Sequence, residues 1–174
     1  MRRAMIPGVL LALAVAGGCA HAPSAPAVTA VQLYEPLPGL YTSGQPAPGD
    51  WRALKAHGVR TVVDLRVPGE LKGRDESAEV RGAGLRYVNI PVAGGQGLTE
   101  ANARALHAVL GKAHAGVLVH CSSGNRAGAL LALEQFEFDH AGAAQALALG
   151  KAAGLTHLEA PLRQHLGLRA PEAK

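Results

Sequence analysis

Val117-Leu118-Val119-His120-Cys121-Ser122-Ser123-Gly124-Asn125-Arg126-Ala127-Gly128 reads as a strand, a loop and the start of a helix. Val117 to His120 is a short β-prone run that follows Gly116, and the residues after Arg126 are helical in character. A strand ending at His120 places Cys121 at the C-terminal edge of a sheet, where open α/β folds gather their ligands. Gly124 permits a backbone conformation that a Cβ would obstruct, so the loop N–H groups can converge on one anion. A helix starting near Arg126 then aims its positive end at the same point.

Loop dipoles, the helix terminus and Arg126 all favour the thiolate of Cys121, which makes it a candidate nucleophile towards phosphorus with a covalent intermediate. Arg126 offers planar, bidentate hydrogen bonds to two phosphate oxygens, a grip that tightens as charge shifts in the transition state. Lys could not imitate it. The expected catalytic pair is therefore Cys121 and Arg126, with Ser122, Ser123, Gly124, Asn125 and Arg126 as the phosphate-binding set. The hydroxyl of Ser122 or of Ser123 would hydrogen-bond the sulfur and help it leave during hydrolysis.

Working outward, Leu40–Ser43, Thr61–Leu65 and Leu85–Ile90 are further short strand candidates, and Ala47–His57 is a helix candidate stopped by Gly58. Thr99 caps a second helix with Ala105, Leu106, Val109, Leu110 and Ala113 at helical spacing. Beyond Arg126 helical character persists to about His165, interrupted near Gly142, Gly150 to Gly154 and Pro161. This alternation predicts a three-layer α/β/α domain around a central, mainly parallel sheet of four or five strands. The domain is expected over residues 39–168, with 169–174 as a tail.

At the other end, Arg2 and Arg3, an apolar Ile6 to Ala16 and small residues to Gly18 form a secretory signal pattern. The apolar stretch is too short to span a bilayer. Ala16-Gly17-Gly18-Cys19 resembles the lipobox of bacterial lipoproteins, which implies cleavage after residue 18 and lipidation of Cys19. Ala20 in the following position implies sorting to the outer membrane, so the expected location is the periplasmic face of that membrane. Residues 19–38, rich in Ala and Pro, are expected to be a tether.

Of 174 residues 48% are hydrophobic but only 3% aromatic, so the core must be built from Leu, Val and Ala; there is no room for a second domain. The formal charge of +4 falls to +2 without Arg2 and Arg3, and no dense Lys/Arg run exists. Nucleic acid thus has no electrostatic footprint, and the membrane is reached only through the anchor. With Cys19 lipidated, Cys121 is a lone thiol in an exported, disulfide-permissive compartment, which points to reactivity or to inert burial.

His-Cys-x-x-Gly-x-Arg after an apolar strand resembles the signature of cysteine-dependent tyrosine and dual-specificity phosphatases. Four residues separate Cys121 from Arg126 where those enzymes have five. The shorter loop is similar to a bacterial offshoot, the phosphatase-like domain of beta-lactamase-hydrolase-like proteins. Leu40-Tyr41-Thr42-Ser43-Gly44-Gln45-Pro46, Thr61-Val62-Val63-Asp64-Leu65-Arg66 and Gly84 to Val92 resemble its other marks in the same order. The resemblance implies a cysteine-phosphatase-like fold and hydrolysis of phosphomonoesters, in a protein or a small molecule, through a phosphocysteine.

Dual-specificity phosphatases carry a general-acid Asp on the loop after the turn corresponding to Ile90-Pro91. Here Ala93-Gly94-Gly95-Gln96-Gly97-Leu98 has no carboxylate. Glu70, Asp75 and Glu76 are the candidate substitutes, if their loop folds over the site; a solvated acidic turn is the plainer reading. His120 is expected to shape the loop rather than exchange protons. Arg66 would add substrate affinity or make a surface salt bridge, and Asp64 is expected to be structural. His107 and His114 form no paired-ligand spacing, so no metal is expected, and no cofactor. Two alternatives share the cradle: a rhodanese-like sulfurtransferase with a persulfide on Cys121, and an anion-binding module without turnover.

Overall fold

Three of the strands start just past a glycine that takes a left-handed backbone to leave the preceding segment: Gly58 (φ 96°), Gly84 (φ 74°) and Gly116 (φ 78°). They are β3 (Thr61–Asp64), β4 (Arg86–Asn89) and β5 (Val117–His120). The computed structural model describes residues 31–111 and 114–169. Before β3 come β1 (Leu33–Leu37), β2 (Leu40–Ser43) and α1 (Asp50–Ala56); α2 (Glu76–Gly82) and α3 (Glu100–Leu110) follow β3 and β4 respectively. The chain ends in three helices, α4 (Asn125–Glu137), α5 (Ala143–Ala152) and α6 (Glu159–His165).

The five strands lie in the order β1-β2-β5-β3-β4, and all neighbouring pairs are parallel except β1 with β2. The register sets Ser43 beside His120, His120 beside Asp64, and Asp64 beside Asn89. The segments leaving these four strands therefore emerge together on one edge. Cys121 is central among them, because β5 is the middle strand.

Side chains alternate across the sheet as strand geometry requires. Val63, Leu65, Val117 and Val119 join a core with α3, α4, α5 and α6, while Val62 and Leu118 join Trp51 and Leu54 of α1 and Val80 of α2 on the opposite face. The expected three layers result. Helix α4 is enclosed, with Ala127 through Glu134 all buried, and this leaves its one buried carboxylate to find a partner.

The domain starts earlier than the sequence suggests. Residues 33–37, expected in the tether, form the edge strand β1, turned into β2 by Gly39 at φ 75°. An edge strand tolerates Pro36 because one side of it needs no ladder donors. Helix α1 starts at Asp50 rather than Ala47, whose N–H bonds the Asp50 carboxylate instead at 2.9 Å. Pro161 does not interrupt α6: it stands in the first turn, where its missing N–H costs no helical bond. Residues 1–30, with the signal pattern and Cys19, and also Ala113, lie outside the described residues.

Candidate active site

Cys121 leaves β5 directly into a loop pinned from the side by the segment after β2. The Gln45 N–H donates to the Ser122 carbonyl at 3.2 Å, and Gly44 bridges to Ser123. A Cβ on Gly44 would stand 3.2 Å from that carbonyl, a tight contact that would push the two segments slightly apart. Gly124 takes φ 89°, turning its N–H inward to the Cys121 sulfur at 3.2 Å, and α4 begins at the next residue. The sulfur thus accepts a main-chain N–H at the mouth of a helix.

Arg126 lies in the first turn of α4. Its guanidinium is steadied by the Val92 carbonyl at 3.2 Å, the Leu65 carbonyl at 3.5 Å and the Ser122 hydroxyl at 3.1 Å. The loops after β3 and β4 therefore aim it. Its two terminal nitrogens face the Glu70 carboxylate, Nη1 to Oε2 at 2.8 Å and Nη2 to Oε1 closer still. Glu70 raises the Arg126 pKa most, burial opposes it, and the Cys121 sulfur adds to the rise. Cys121 itself exposes no surface. An anion that is to reach Arg126 must first displace Glu70, because the fork that would hold phosphate already holds a carboxylate.

The model for the phosphatase-like domain of beta-lactamase hydrolase-like proteins matches residues 37–138, more than half of the chain. The chain belongs to that family. A curated beta-lactamase hydrolase-like protein of Xylella fastidiosa is 39% identical over 100 residues, covering 55% of this chain and 23% of that protein. The chain thus spans about a quarter of the length of its curated relative. A solved putative phosphatase from Shewanella putrefaciens is 29% identical, covers 78% of this chain and 91% of its own, and superposes with a TM-score of 0.58. Pseudomonas aeruginosa TpbA, solved in complex with pTyr, shares the fold at 21% identity, 79% and 86% coverage and a TM-score of 0.57.

Within this phosphatase-like domain the three candidate carboxylates have separate fates. Only Glu70 reaches the loop. Arg126 beside it holds its carboxyl below the usual range, with weaker help from the Val67 N–H against the effect of burial. Asp75 is the exposed N-cap of α2, accepting from the Ala78 N–H at 3.0 Å, and that bond lowers its pKa. Glu76 is buried beneath the sheet edge, bonded to Arg66 at 2.8 Å and to Gln45, with an oxygen 2.8 Å from His120 Nε2. Neither Asp75 nor Glu76 folds over the site.

Arg66 makes no surface salt bridge. It is 5% exposed and bonds both Asp64 oxygens as well as Glu76. Burial alone would raise the Asp64 pKa, but Arg66, His120 and Tyr87 together outweigh it and hold the carboxyl down. Tyr87, donating to Asp64 at 2.8 Å, is pushed up by burial first and then by that carboxylate. The network fixes the ends of β3, β4 and β5 relative to one another, and so fixes the base of the loop. His120 lies within it, tilted against Trp51, and shapes the chain entering Cys121. A cavity of about 240 Å³ lined by Arg66, Pro68, Arg74 and Tyr87 adjoins it; Cys121 and Arg126 do not line that cavity.

Asn125 does something the sequence did not reveal. Its side-chain oxygen accepts from the Thr156 and Leu158 N–H groups, at 2.8 and 3.2 Å, and so holds the α5–α6 turn rather than facing the loop. The loop after β4 forms a 3-10 turn at Gly94–Gly97, fastened by Asn102 to the Gly97 carbonyl at 2.9 Å, and carries no acid.

Proposed function

We propose that the chain hydrolyses phosphomonoesters by attack of Cys121 on phosphorus, with Arg126 and the loop N–H groups holding the transferred group. The observation that carries this reading is the Gly124 N–H on the Cys121 sulfur, with Arg126 in the first turn of α4, at the centre of a parallel-sheet edge. Sulfur would form a bond to phosphorus as the ester oxygen leaves; water would then release phosphate and restore the thiol.

With no acid on the loop after β4, a poor leaving group departs slowly. Phenols, with a pKa of about 10, leave far more readily than alcohols. Aryl phosphates, including phosphotyrosine in a protein, are therefore the substrate class this site suits. The test is a stopped-flow burst of p-nitrophenol from p-nitrophenyl phosphate, with thiosulfate assayed in parallel. A burst of one equivalent per site supports the reading. Turnover of thiosulfate to a protein persulfide and sulfite, without a burst, supports the sulfurtransferase reading instead. Phosphate binding with neither reaction leaves only an anion-binding module.

Glu70 supplies a second prediction. Replacing its carboxylate with an amide removes the anion that competes at Arg126, so Glu70→Gln is expected to tighten phosphate inhibition about tenfold, roughly 1.4 kcal/mol. Iodoacetate should alkylate Cys121 faster in the same variant. Unchanged inhibition would show that Glu70 steadies the arginine rather than competing for it. The sign with pH follows: the Glu70 pKa is depressed, so the ion pair persists at neutral pH and is lost as pH falls through the lowered value. Its stabilisation disappears on acidification, and phosphate competition eases in the same direction.

The N-terminal reading is carried by the lipobox-like run alone. Lipidation of Cys19 is expected to show as incorporation of labelled palmitate in a diderm host, absent in Cys19→Ala. Labelling that survives this substitution would remove the anchor from the proposal.

A further inference from the structure

At the far end of α4 from Cys121, two histidines and two carboxylates from distant stretches of the chain come together. His107 of α3 places Nδ1 2.7 Å from the Oε1 of Glu134 on α4 and 4.0 Å from an oxygen of Asp139 just beyond that helix. His114, before β5, places Nε2 3.8 Å from the other Asp139 oxygen. One donor atom each from His107, Glu134 and Asp139 all lie within 4.8 Å of one another. Ligands around a zinc-sized ion at about 2.1 Å in tetrahedral geometry are separated by about 3.4 Å. The His107 distances to Glu134 and Asp139, 2.7 and 4.0 Å, bracket that value, and His114 reaches only Asp139 from outside the set of three.

The chemistry of Glu134 separates this cluster from an ordinary ion pair. Its side chain exposes nothing, and its two oxygens face the His107 ring at 2.7 Å and the Gln135 amide at 3.0 Å. Among the described residues no Lys or Arg pairs with Glu134 or Asp139. The neighbouring Arg104 turns to Glu100 and to the face of Phe138. Burying a carboxylate is costly unless it is paired or ligates a metal, and the partner that the described residues give Glu134 is the His107 ring. The contrast with Asp64, Glu76 and His120 is informative, since there the Arg66 guanidinium fills the cation position. The His107 ring is also held in place by stacking on Phe138, with centroids 5.1 Å apart and planes 27° apart. Its Nδ1 is thereby aimed at Glu134.

We propose that His107, Glu134 and Asp139, with His114 at the rim, bind one divalent cation of zinc-like preference and so tie α3 to the C-terminal end of α4. Two imidazoles and two carboxylates suit Zn²⁺, Co²⁺ or Ni²⁺ better than Ca²⁺ or Mg²⁺, which take oxygen ligands. This site is independent of the phosphatase reading and runs against the sequence expectation of no metal, because no motif spacing joins residues 107, 114, 134 and 139.

The experiment titrates the purified, metal-stripped chain with Co²⁺ and Zn²⁺, read by visible absorption and by Tm. Expected are one equivalent of Co²⁺ with a tetrahedral absorption band, and a Tm higher by about 5–10 °C at saturating Zn²⁺. Cys121→Ser must keep both signals, which excludes the thiol as the ligand. His107→Ala and Asp139→Asn should lose them while retaining the parent's circular-dichroism spectrum. Glu134→Gln keeps a hydrogen bond to His107 and removes the buried charge, so its metal-free Tm should equal or exceed the parent's, yet Zn²⁺ should no longer raise it. No Co²⁺ band in the parent at 100 µM metal, or a band that Cys121→Ser abolishes, overturns the site.

Discussion

Cys121→Ser is expected to lower turnover of p-nitrophenyl phosphate by about 10⁴–10⁶-fold while leaving phosphate affinity close to that of the parent. Serine keeps the shape of the loop, and the main-chain N–H groups and Arg126 that hold an anion do not depend on sulfur. It lacks a base: His120, the nearest imidazole in sequence, is buried with Nε2 on Glu76, away from reach of a hydroxyl proton. The hydroxyl therefore stays protonated and attacks poorly. Cys121 and Arg126 act on the same phosphorus, so their effects should not add. Once sulfur is gone, adding Arg126→Ala should cost little further turnover but should weaken phosphate binding. Retained turnover in Cys121→Ser would place the chemistry elsewhere. A full additive loss in the double variant would mean the two residues serve separate steps.

The parts of the fold that could be read from the sequence are those fixed by local chemistry. Val117–His120 and Leu40–Ser43 appear with the expected bounds, because short apolar strands beside Gly116 and Gly39 have few other conformations open to them. Thr99 caps α3 as its residue type suggests, accepting from the Asn102 N–H. Strand β1 was hidden by Pro36, Pro38 and an Ala/Pro-rich approach, and only its pairing with β2 reveals it. The succession of strand, loop and helix from Val117 to Glu137 was legible for the same local reason, though not the turning of the Asn125 side chain to Thr156. What Glu70, Asp75 and Glu76 do was not, although they are nearly adjacent in sequence. One carboxylate reaches Arg126 across 56 positions, one caps its own helix and one is buried on Arg66, and only the course of the chain between Leu65 and Asp75 decides among these. The pairing of His107 with Glu134 spans 27 positions on two helices and leaves no periodic trace.

Gly128→Ala carries the largest expected effect on stability, and its cause is the contact between α4 and α5. A Cβ at Gly128 would lie 2.5 Å from the Gly150 carbonyl oxygen and 2.5 Å from the Leu155 nitrogen, both main-chain atoms that no rotamer change can move aside. Those two atoms already bond each other at 2.9 Å across the turn that ends α5. Relief requires moving that turn as a body. It is fastened to the sheet by the Thr42 hydroxyl on the Ala153 carbonyl at 2.8 Å, and to the active-site loop by Asn125 on Thr156. Overpacking of this kind outweighs the helix-propensity gain of about 1 kcal/mol, giving a net loss of about 3 kcal/mol and a Tm lower by roughly 6–12 °C. Gly82 in α2 has nothing within 4 Å of its Cβ position, so Gly82→Ala should instead stabilise by about 0.5–1 kcal/mol. Because the displaced turn pulls on Asn125, next to Arg126, Gly128→Ala should also lower kcat/KM at temperatures where it remains folded. A raised Tm in Gly128→Ala would mean that α4 and α5 are not held at main-chain contact.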